Sequence, residues 1–421
     1  MRANGLIRGV LCGALAGAAC GEPAPGGAAS ETDGSSGTSS GSSTTGSTST
    51  TGEAPTTEVV PTSGSGSGGE TTSTSSGTST SEGSSSTTEA LTSSTTTTST
   101  SSTSTTGDTT DGETGTTGGS LDEVLTLQHV QVKGTHNSYH VEPLLPFDAS
   151  HEYSHAPLDV QLGEQGVRAF ELDVHKGISE FEVYHITVID SSATCTDVPE
   201  CLGLIRDWSL AHPGHLPIVV WIEIKDSTGG LPIGASDLDA LDDTIREVLP
   251  PEQLFTPDDL QAGHPSVRAA LEADGWPTLA QLRGQIVMVL LNVEDGHADN
   301  YTAGYTSLAG RAMFARATPD QFSADWAAIA KLGIDDSEAI ADAHAGALLI
   351  ATNVCGAGEE DADCEAKAAA AKAAGIHMLK DDFPAPVDGM TYFLDFPDGN
   401  PARCNPVTAP PECTSVALED L

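Results

Sequence analysis

A change of composition near residue 120 limits which part of this chain can fold. Residues 21–119 consist almost entirely of Gly, Ser, Thr, Pro and acidic residues, and they contain no lysine, arginine or aromatic residue. Such a segment has too little apolar surface to offset the entropy lost on ordering, so we expect a disordered linker. Residues 120–421 are therefore predicted to form the folded part, with enough chain for one domain with a substantial core.

The first 20 residues resemble an export signal. Arg2 and Arg8 precede an apolar run rich in Ala, Gly and Leu that ends at Cys20. The residues before Cys20 are similar to a bacterial lipoprotein cleavage box, although Gly17 stands where a large aliphatic residue is usual. We predict an exported protein, either anchored at the cell surface through Cys20 or fully secreted, with the linker as a tether.

The six cysteines beyond the signal are arranged in local pairs. In an exported protein, an even number of closely paired cysteines predicts disulfides that close short loops. A zinc site is the weaker alternative, because neither a Cys-x-x-Cys motif nor a His-rich knuckle accompanies them. The pairs are Cys195 with Cys201, Cys355 with Cys364, and Cys404 with Cys413.

The strong negative charge of the chain restricts its partners. The formal net charge is −43, which disfavours nucleic-acid binding, because that binding depends on basic residues that neutralise phosphates. A phosphate-bearing substrate would also be repelled, unless metal ions or basic side chains reverse the local field.

The alternation of short apolar runs with amphipathic stretches predicts βα units from residue 128 onward. Predicted helices span 202–211, 237–248 after Ser236 as N-cap, and 364–374 before a stop at Gly375. Seven or eight such units in about 300 residues indicate a TIM-type (β/α)8 barrel, regular or distorted, rather than an open sheet. The predicted strands are 129–134, 167–174, 182–185, 217–224, 285–291, 347–352 and 376–380.

Polar residues close each of the first four predicted strands, and in a barrel such strand ends meet on one face. Glu171 and Asp173 are two residues apart, so both side chains should point into the barrel. The complete set is His136 and Asn137 after the first strand, Glu171 and Asp173 in the second, His185 in the third, and Glu223 and Lys225 in the fourth.

The three carboxylates of this set predict a metal site. Buried carboxylates cost several kcal/mol each unless they are paired or metal-bound, and here they outnumber the obvious local cations, Lys225 and Arg168. With the amide of Asn137 they form an all-oxygen group, which favours Ca²⁺ over Zn²⁺. The two histidines are then available for proton transfer at phosphorus.

At these residues the sequence resembles the calcium-dependent phosphoinositide-specific phospholipases C, in particular their bacterial secreted branch. His136-Asn137-Ser138-Tyr139 is similar to the first catalytic block of that family. Glu171-x-Asp173, His185 and Glu223 follow in the order of the family. Residues 401–406 (Pro-Ala-Arg-Cys-Asn-Pro) also resemble the bacterial branch.

The resemblance implies a role for each site residue. Asn137, Glu171, Asp173 and Glu223 would bind Ca²⁺. His136 would stabilise charge on the phosphoryl group, and His185 would be the general acid for the diacylglycerol oxygen. Glu171 or Glu223 would take the proton of the inositol 2-hydroxyl, giving inositol 1,2-cyclic phosphate. The implied partner is a phosphatidylinositol-type phospholipid in a membrane or vesicle. The net charge argues against nucleic acid, and no obligate protein partner is evident from the sequence.

The sequence departs from the eukaryotic members in its basic residues. Those enzymes carry lysines on the strand corresponding to 285–291, which has none here. Lys225 and Lys133 are the candidate phosphate ligands, with a structural ion pair as an equal alternative for each. We therefore expect plain phosphatidylinositol to be preferred over highly phosphorylated forms. Asp381 and Asp382 are candidates either for substrate contact or for structural capping.

Two other functions fit parts of this pattern. A glycerophosphodiester phosphodiesterase or sphingomyelinase-D-like hydrolase of the same barrel type also uses two histidines and a Glu-x-Asp metal pair, but Arg-Gly typically follows its first histidine. A non-catalytic calcium-binding surface module would suit the tether, but it would not require both His136 and His185.

Overall fold

The structure is a computed structural model. The predicted signal, with Cys20, and the predicted linker lie outside the residues that it describes. Within the described part of the chain, no helix is both long and apolar enough to cross a membrane. The described residues are 121–226, 230–292, 296–396 and 401–419.

Eight parallel strands close into a ring, which confirms the predicted TIM-type barrel. The ring runs β1, β2, β4, β6, β7, β8, β9, β10 and returns to β1. Outside it, β3 pairs antiparallel with β2, β11 pairs antiparallel with β1, and β5 adds to β6. The strands are β1 (Val130–Thr135), β2 (Val167–Lys176), β3 (Phe181–Val183), β4 (Ile218–Ile224), β5 (Leu254–Phe255), β6 (Ile286–Leu290), β7 (Phe314–Ala317), β8 (Ile329–Lys331), β9 (Leu349–Asn353), β10 (Met378–Asp381) and β11 (Ala402–Cys404).

Helices pack on the outside of the ring. Gly375 is the first residue after Ala374, the C-cap of the last helix. Its φ of 73° is the left-handed conformation that commonly ends a helix, as the sequence predicted. The helices are α1 (Leu158–Gly163), α2 (Val198–Ala211), α3 (Ala235–Val248), α4 (Pro257–Gln261), α5 (Val267–Ala273), α6 (Leu279–Leu282), α7 (His297–Tyr301), α8 (Ser337–Ala345) and α9 (Asp361–Ala373).

Three details of the sequence-based prediction are wrong. The predicted strand 182–185 is not a barrel strand, because β3 runs antiparallel to β2 and His185 lies in the loop beyond it. Ser236 is not an N-cap, because α3 begins one residue before it and Gly234 is the N-cap. The Gly234 N–H donates to Asp237 Oδ2 (2.9 Å). The prediction also missed β7 and β8, which have only four and three residues.

The barrel interior is built from alternate residues of its strands. Val132, Ala169, Trp221, Phe314 and Met378, from five different strands, belong to one buried cluster inside the ring. The intervening residues of β2 and β4 pack with the helices instead. Since the side chains of a strand alternate between its faces, the residues two and four beyond Ala169 also point inward. The polar residues that follow these apolar positions therefore share the upper part of the interior.

Gly134 allows β1 to fit closely against its neighbours. A Cβ at this position would lie 2.9 Å from the Cβ of Ala169 and 3.1 Å from Cγ of Lys380. Because a glycine has no Cβ, β1 can approach both strands at once. Two residues later, the chain leaves the barrel at His136.

All three predicted disulfides are formed, which confirms the pairing of neighbouring cysteines. Cys195–Cys201 joins α2 to the segment before it, and Cys355–Cys364 joins the loop after β9 to α9. The third, Cys404–Cys413, closes a loop that begins in β11.

Candidate active site

Three carboxylates meet at the carboxyl end of the barrel strands. Glu171, Asp173 and Glu223 each offer an oxygen atom within 4.8 Å of the others. Asp173 and Glu223 face each other across the β2–β4 pair, and Glu171 lies two residues deeper. Glu171 and Asp173 are fully buried, whereas 26% of the Glu223 side chain is exposed. The cluster is thus shielded from solvent at Glu171 and Asp173 and accessible to solvent at Glu223.

Several oxygen atoms of this group have no ordinary hydrogen-bond partner. Among the described residues, none donates a well-formed hydrogen bond to Asn137 Oδ1, Glu171 Oε1 or either Asp173 oxygen, although all four atoms are buried. Ser138 attaches the Asn137 turn to β2, because its N–H donates to the Glu171 carbonyl (2.9 Å). Buried oxygens without donors are costly. A hard cation bound by oxygen ligands would satisfy them, so this donor set fits Ca²⁺.

Repulsion within the cluster also favours a cation. Burial raises the pKa of Asp173 to about 7; Lys225 acts against this shift and Glu223 adds to it. For Glu223, burial is outweighed by Lys225, which holds the pKa of this carboxyl below its ordinary value. One ammonium therefore does not fully offset the negative charge that Asp173 and Glu223 share.

Only one of the two predicted phosphate ligands reaches this cluster. The Lys225 ammonium lies 2.8 Å from Glu223 Oε1 and 3.4 Å from Asp173 Oδ2. Lys133 is buried, and its ammonium donates to the Pro384 carbonyl (3.1 Å). Burial lowers the pKa of Lys133 to about 8. The structure thus directs Lys133 to a main-chain partner.

Two further lysines lie at Glu171, and the sequence analysis did not identify either as a site residue. Lys380 is fully buried, contacts Glu171 directly and lies 5.1 Å from the centre of the Trp221 ring. Lys331 lies 3.5 Å from Glu171 Oε2. Burial lowers the pKa of Lys380 to about 7, but its contact with the Glu171 carboxylate favours the charged form. In the sequence, Lys331 is marked only as a basic residue at the end of β8, and this strand of three residues is too short to be recognised from its pattern.

His136 is held between the carboxylate cluster and a second carboxylate. Its Nδ1 lies 3.0 Å from Asp382 Oδ1, and its Nε2 lies 3.7 Å from Glu171 Oε1. The other Asp382 oxygen accepts the Ala357 N–H (2.9 Å). With 30% of its side chain exposed, His136 remains accessible. Asp382, a candidate for substrate contact or capping in the sequence, therefore orients a histidine.

Asp381, the other candidate at the end of β10, has structural partners. It accepts hydrogen bonds from the Phe383 N–H (2.8 Å) and the Tyr392 hydroxyl (2.6 Å). Burial raises the pKa of this carboxyl to about 7. These contacts fix the loop that leaves β10.

His185 belongs to a cluster of three histidines around Asp190. Asp190 Oδ2 lies 2.7 Å from His185 Nδ1 and 2.8 Å from His151 Nδ1, and Asp190 Oδ1 lies 2.9 Å from His140 Nε2. Burial opposes ionisation of Asp190, but hydrogen bonds from His140 and His185 outweigh it and hold its pKa far below the ordinary range. The sequence analysis missed His140, His151 and Asp190, because no motif or periodicity marks them.

Both ring nitrogens of His140 lie close to hydrogen-bond acceptors. Its Nδ1 lies 3.1 Å from the Tyr153 carbonyl, and its Nε2 lies within 3.0 Å of both Asp190 oxygens. Through these two contacts His140 connects the main chain at Tyr153 to Asp190, the carboxylate that also orients His185.

Tyr153 lies near both the His136–Asp382 pair and the histidines around Asp190. Its ring stacks on His140 with 4.2 Å between ring centres. Burial, followed by the charges of Asp382 and Asp173, raises the pKa of its hydroxyl well above the ordinary value, and the Asn137 amide acts in the opposite direction. The carboxylate cluster, His136 with Asp382, and His185 with Asp190 therefore surround one mouth of the barrel.

Comparisons with known proteins were made for the sequence and for the fold. A family model described as phosphoinositide phospholipase C, Ca²⁺-dependent, matches residues 125–180 and 178–406. No curated protein matches the sequence.

Solved structures with a similar fold include three bacterial phospholipases C. The apo form of the calcium-dependent enzyme from a Pseudomonas species is 20% identical, with a TM-score of 0.48, over 67% of this chain and 96% of that chain. The Ca²⁺-dependent enzyme from Streptomyces antibioticus is 20% identical, with a TM-score of 0.47, over 62% and 95%. The Staphylococcus aureus enzyme is 13% identical, with a TM-score of 0.39, over 65% and 93%.

Proposed function

The chain belongs to the Ca²⁺-dependent phosphoinositide phospholipase C family, and from this we propose that it cleaves phosphatidylinositol to diacylglycerol and inositol 1,2-cyclic phosphate. The observation that carries the proposal is the set of buried oxygens, Asn137 Oδ1, Glu171 Oε1 and both oxygens of Asp173, that receive no well-formed hydrogen bond from the described residues. Two histidines, each beside a buried carboxylate, flank that set.

Asn137, Glu171, Asp173 and Glu223 are the proposed calcium ligands. The chemistry of the donors supports them, because carboxylate and amide oxygens are the ligands that Ca²⁺ prefers. A bound calcium ion would supply positive charge that stabilises the phosphoryl oxygens and favours ionisation of the inositol 2-hydroxyl.

Glu223 is the better placed of the two proposed bases. Its side chain is 26% exposed, whereas Glu171 is fully buried and its Oε2 is already engaged by two ammonium groups. In this proposal Glu223 takes the proton of the inositol 2-hydroxyl, whose oxygen then attacks phosphorus.

The two histidines carry the remaining proton chemistry in the proposal. Asp382 and Asp190 lie beside Nδ1 of His136 and of His185, so Nε2 is the ring atom of each that we assign to the reactants. His136 Nε2 lies 3.7 Å from Glu171 Oε1, beyond hydrogen-bond distance. His136 donates to a phosphoryl oxygen and stabilises its charge. His185 gives its proton to the diacylglycerol oxygen as the bond to phosphorus breaks.

The pairing of the lysines supports a preference for phosphatidylinositol over its bisphosphate. Lys225 is paired with Glu223 and Asp173, and Lys331 and Lys380 are paired with Glu171. These charges are largely offset before any substrate binds. Ring phosphates would therefore gain little from them, and Lys225 stays the proposed ligand for the single phosphodiester.

Export is part of the proposal. Disulfides form and persist in oxidising compartments, so the three disulfides support an exported protein. Attachment to the cell surface through a lipid on Cys20 is the proposed form of that export.

The proposed function is tested with phosphatidylinositol vesicles, with and without a calcium chelator, and with phosphorus NMR of the products. We expect calcium-dependent formation of inositol 1,2-cyclic phosphate. Glu223→Gln should need at least tenfold more calcium, while Asp388→Asn, an exposed control, should behave like the wild type. Turnover that is insensitive to chelation, or a product with another phosphate ester, would contradict the proposal.

A further inference from the structure

One oxygen atom of Asp190 is approached by more ring nitrogens than it can accept hydrogen bonds from. Asp190 Oδ2 lies 2.7 Å from His185 Nδ1 and 2.8 Å from His151 Nδ1. His140 Nε2 lies 3.0 Å from the same oxygen and 2.9 Å from Asp190 Oδ1. Since a carboxylate oxygen has about two lone-pair sites, three donors exceed its capacity.

His151 Nδ1 makes no well-formed hydrogen bond with any described residue, although it is buried and lies 2.8 Å from Asp190 Oδ2. His185 and His140, in contrast, do form hydrogen bonds with Asp190. Only 7% of the His151 side chain is exposed, so solvent does not compensate for the missing bond. A buried nitrogen and a carboxylate oxygen that converge without a hydrogen bond are arranged like two ligands of one cation.

The donor atoms of this group select the kind of cation. His151 Nδ1, His185 Nδ1 and Asp190 Oδ2 lie within 4.8 Å of one another. Two imidazoles and a carboxylate are typical ligands of Zn²⁺, with water in the fourth position, whereas Ca²⁺ prefers oxygen ligands alone. Ligands about 2 Å from a tetrahedral zinc ion lie roughly 3.3 Å apart. The 2.7 and 2.8 Å contacts to Asp190 need to open only slightly to reach this spacing.

The backbone holds these ligands in place and leaves one side of the group accessible. His185 and Asp190 stand at the two ends of a hairpin, which reciprocal main-chain hydrogen bonds between Ile186 and Asp190 close (2.8 and 3.0 Å). His151 ends a short 3-10 helix whose first N–H groups are capped by Asp148. With 25% of its side chain exposed, His185 provides the side from which an ion and a water ligand can enter.

We propose that His151, His185 and Asp190 form a second metal site, which binds Zn²⁺ or a similar divalent transition-metal ion and inhibits the enzyme. The site itself is independent of the proposed function. The inhibition rests on that function, because it requires His185 to be the general acid.

The inhibition follows from the ring nitrogen that the metal takes. A metal ion bound to His185 Nδ1 replaces the proton there, so the ring is no longer an imidazolium. Loss of the remaining Nε2 proton would leave an imidazolate, which is far less favourable than the loss of a proton from an imidazolium. The metal-bound ring therefore keeps its proton, and the diacylglycerol oxygen is not protonated.

Zinc binding is measured first, by isothermal titration calorimetry of the full chain with saturating Ca²⁺, which occupies the oxygen ligands. The wild type should bind one Zn²⁺, and His151→Gln should bind it at least tenfold more weakly, because it lacks one of three ligands. His212→Gln is the matched control, since it removes an exposed histidine at the end of α2 and should bind like the wild type. Equal affinities of wild type and His151→Gln would overturn the site.

A change of ligand distinguishes a metal ligand from a residue that merely supports the fold. Co²⁺ serves here as a spectroscopic probe in place of Zn²⁺. His151→Cys should bind Co²⁺ with a sulfur-to-cobalt charge-transfer band that the wild type does not show, because a thiolate is a good ligand for these ions. Absence of this band in a His151→Cys protein with the circular dichroism of the wild type would overturn the role of His151.

Inhibition is measured next with phosphatidylinositol vesicles, as the ratio of the rates with and without Zn²⁺ for each protein. The wild type should be inhibited over the concentration range in which it binds Zn²⁺, and His151→Gln should require at least tenfold more. Added Ca²⁺ should not relieve the inhibition, because the two sites share no ligand. Relief by Ca²⁺ would show that Zn²⁺ acts at the oxygen ligands and would overturn inhibition through His185.

The outcomes separate this inference from the proposed function. If no phosphatidylinositol is cleaved but Zn²⁺ binds in a manner that depends on His151, the function fails and the site stands. If phosphatidylinositol is cleaved but His151→Gln binds Zn²⁺ like the wild type, the function stands and the site is overturned. Zinc binding through His151 that leaves turnover unchanged overturns the inhibition alone.

Discussion

Asp382 Oδ1 lies 3.0 Å from His136 Nδ1, although 246 residues of chain separate the two. They meet because β10 closes the barrel against β1. Asp190 and His185 repeat this relationship at 2.7 Å within one short hairpin. A carboxylate beside Nδ1 fixes both the orientation of the ring and the nitrogen that faces the reactants. The two proposed catalytic histidines are thus oriented in the same way by partners of very different origin.

Asp382→Asn should reduce kcat by about 10- to 100-fold, by analogy with the loss of groups that orient catalytic or metal-binding histidines. The calcium dependence should be nearly unchanged, because Asp382 is not among the proposed ligands. Steady-state kinetics at several calcium concentrations measures both quantities. Asp388→Asn is the control on the same loop, and an unchanged kcat for Asp382→Asn would refute the orienting role.

Asp190→Asn should affect substrates according to their leaving group. Cleavage of phosphatidylinositol should fall by about 10²- to 10⁴-fold, because the amide stabilises the wrong tautomer of His185. An inositol p-nitrophenyl phosphate has a leaving group that needs no general acid, so its cleavage should fall far less. Equal losses for both substrates would show that Asp190 does not act through the general acid.

Lys380→Met should lower the free energy of unfolding by about 3 kcal/mol, because it leaves the buried Glu171 with only partial compensation from Lys331. The double variant with Glu171→Leu should recover part of this loss, although it removes a proposed calcium ligand. Chemical denaturation of the calcium-free protein measures both. Lys367→Met, which removes a surface pair with Glu359, is the control and should cost less than about 1 kcal/mol.

The stability of the fold should depend on His377 in mildly acidic solution. Its Nδ1 accepts the Ile350 N–H (3.0 Å), and burial lowers its pKa to about 3. Protonation therefore favours the unfolded state. The contribution of His377 is complete above the unfolded pKa of about 6.5 and declines by about 1.4 kcal/mol per pH unit as the pH falls from there toward 3.

Urea unfolding at pH 7.5, 6.0 and 5.0 measures this dependence. His377→Gln should show a shallower loss of stability than the wild type across that range, whereas substitution of the exposed His212 by Gln should not. Three other buried histidines, His155, His175 and His215, also have lowered pKa values, so the slope should be reduced rather than abolished. Parallel profiles for wild type and His377→Gln would contradict the prediction.

The sequence was informative wherever a local pattern determines the structure. The alternation of apolar runs and amphipathic stretches predicted the barrel, and closely spaced cysteines predicted all three disulfides. The spacing of Glu171 and Asp173 predicted that both lie on the inner face of β2, because strand side chains alternate by two. The pattern failed at β7 and β8, since runs of four and three residues carry too little periodicity, and it wrongly made a barrel strand of residues 182–185.

By itself, then, the sequence determined the barrel, the disulfide pairs and the residue types of the candidate site. Only the tertiary structure decided which charges meet there. Lys380 reaches Glu171 across 209 residues, and Asp382 reaches His136, because β10 closes the ring against β1. Asp190 gathers three histidines because two loops fold over each other. Such contacts depend on ring closure and loop packing, which no periodicity along the chain encodes.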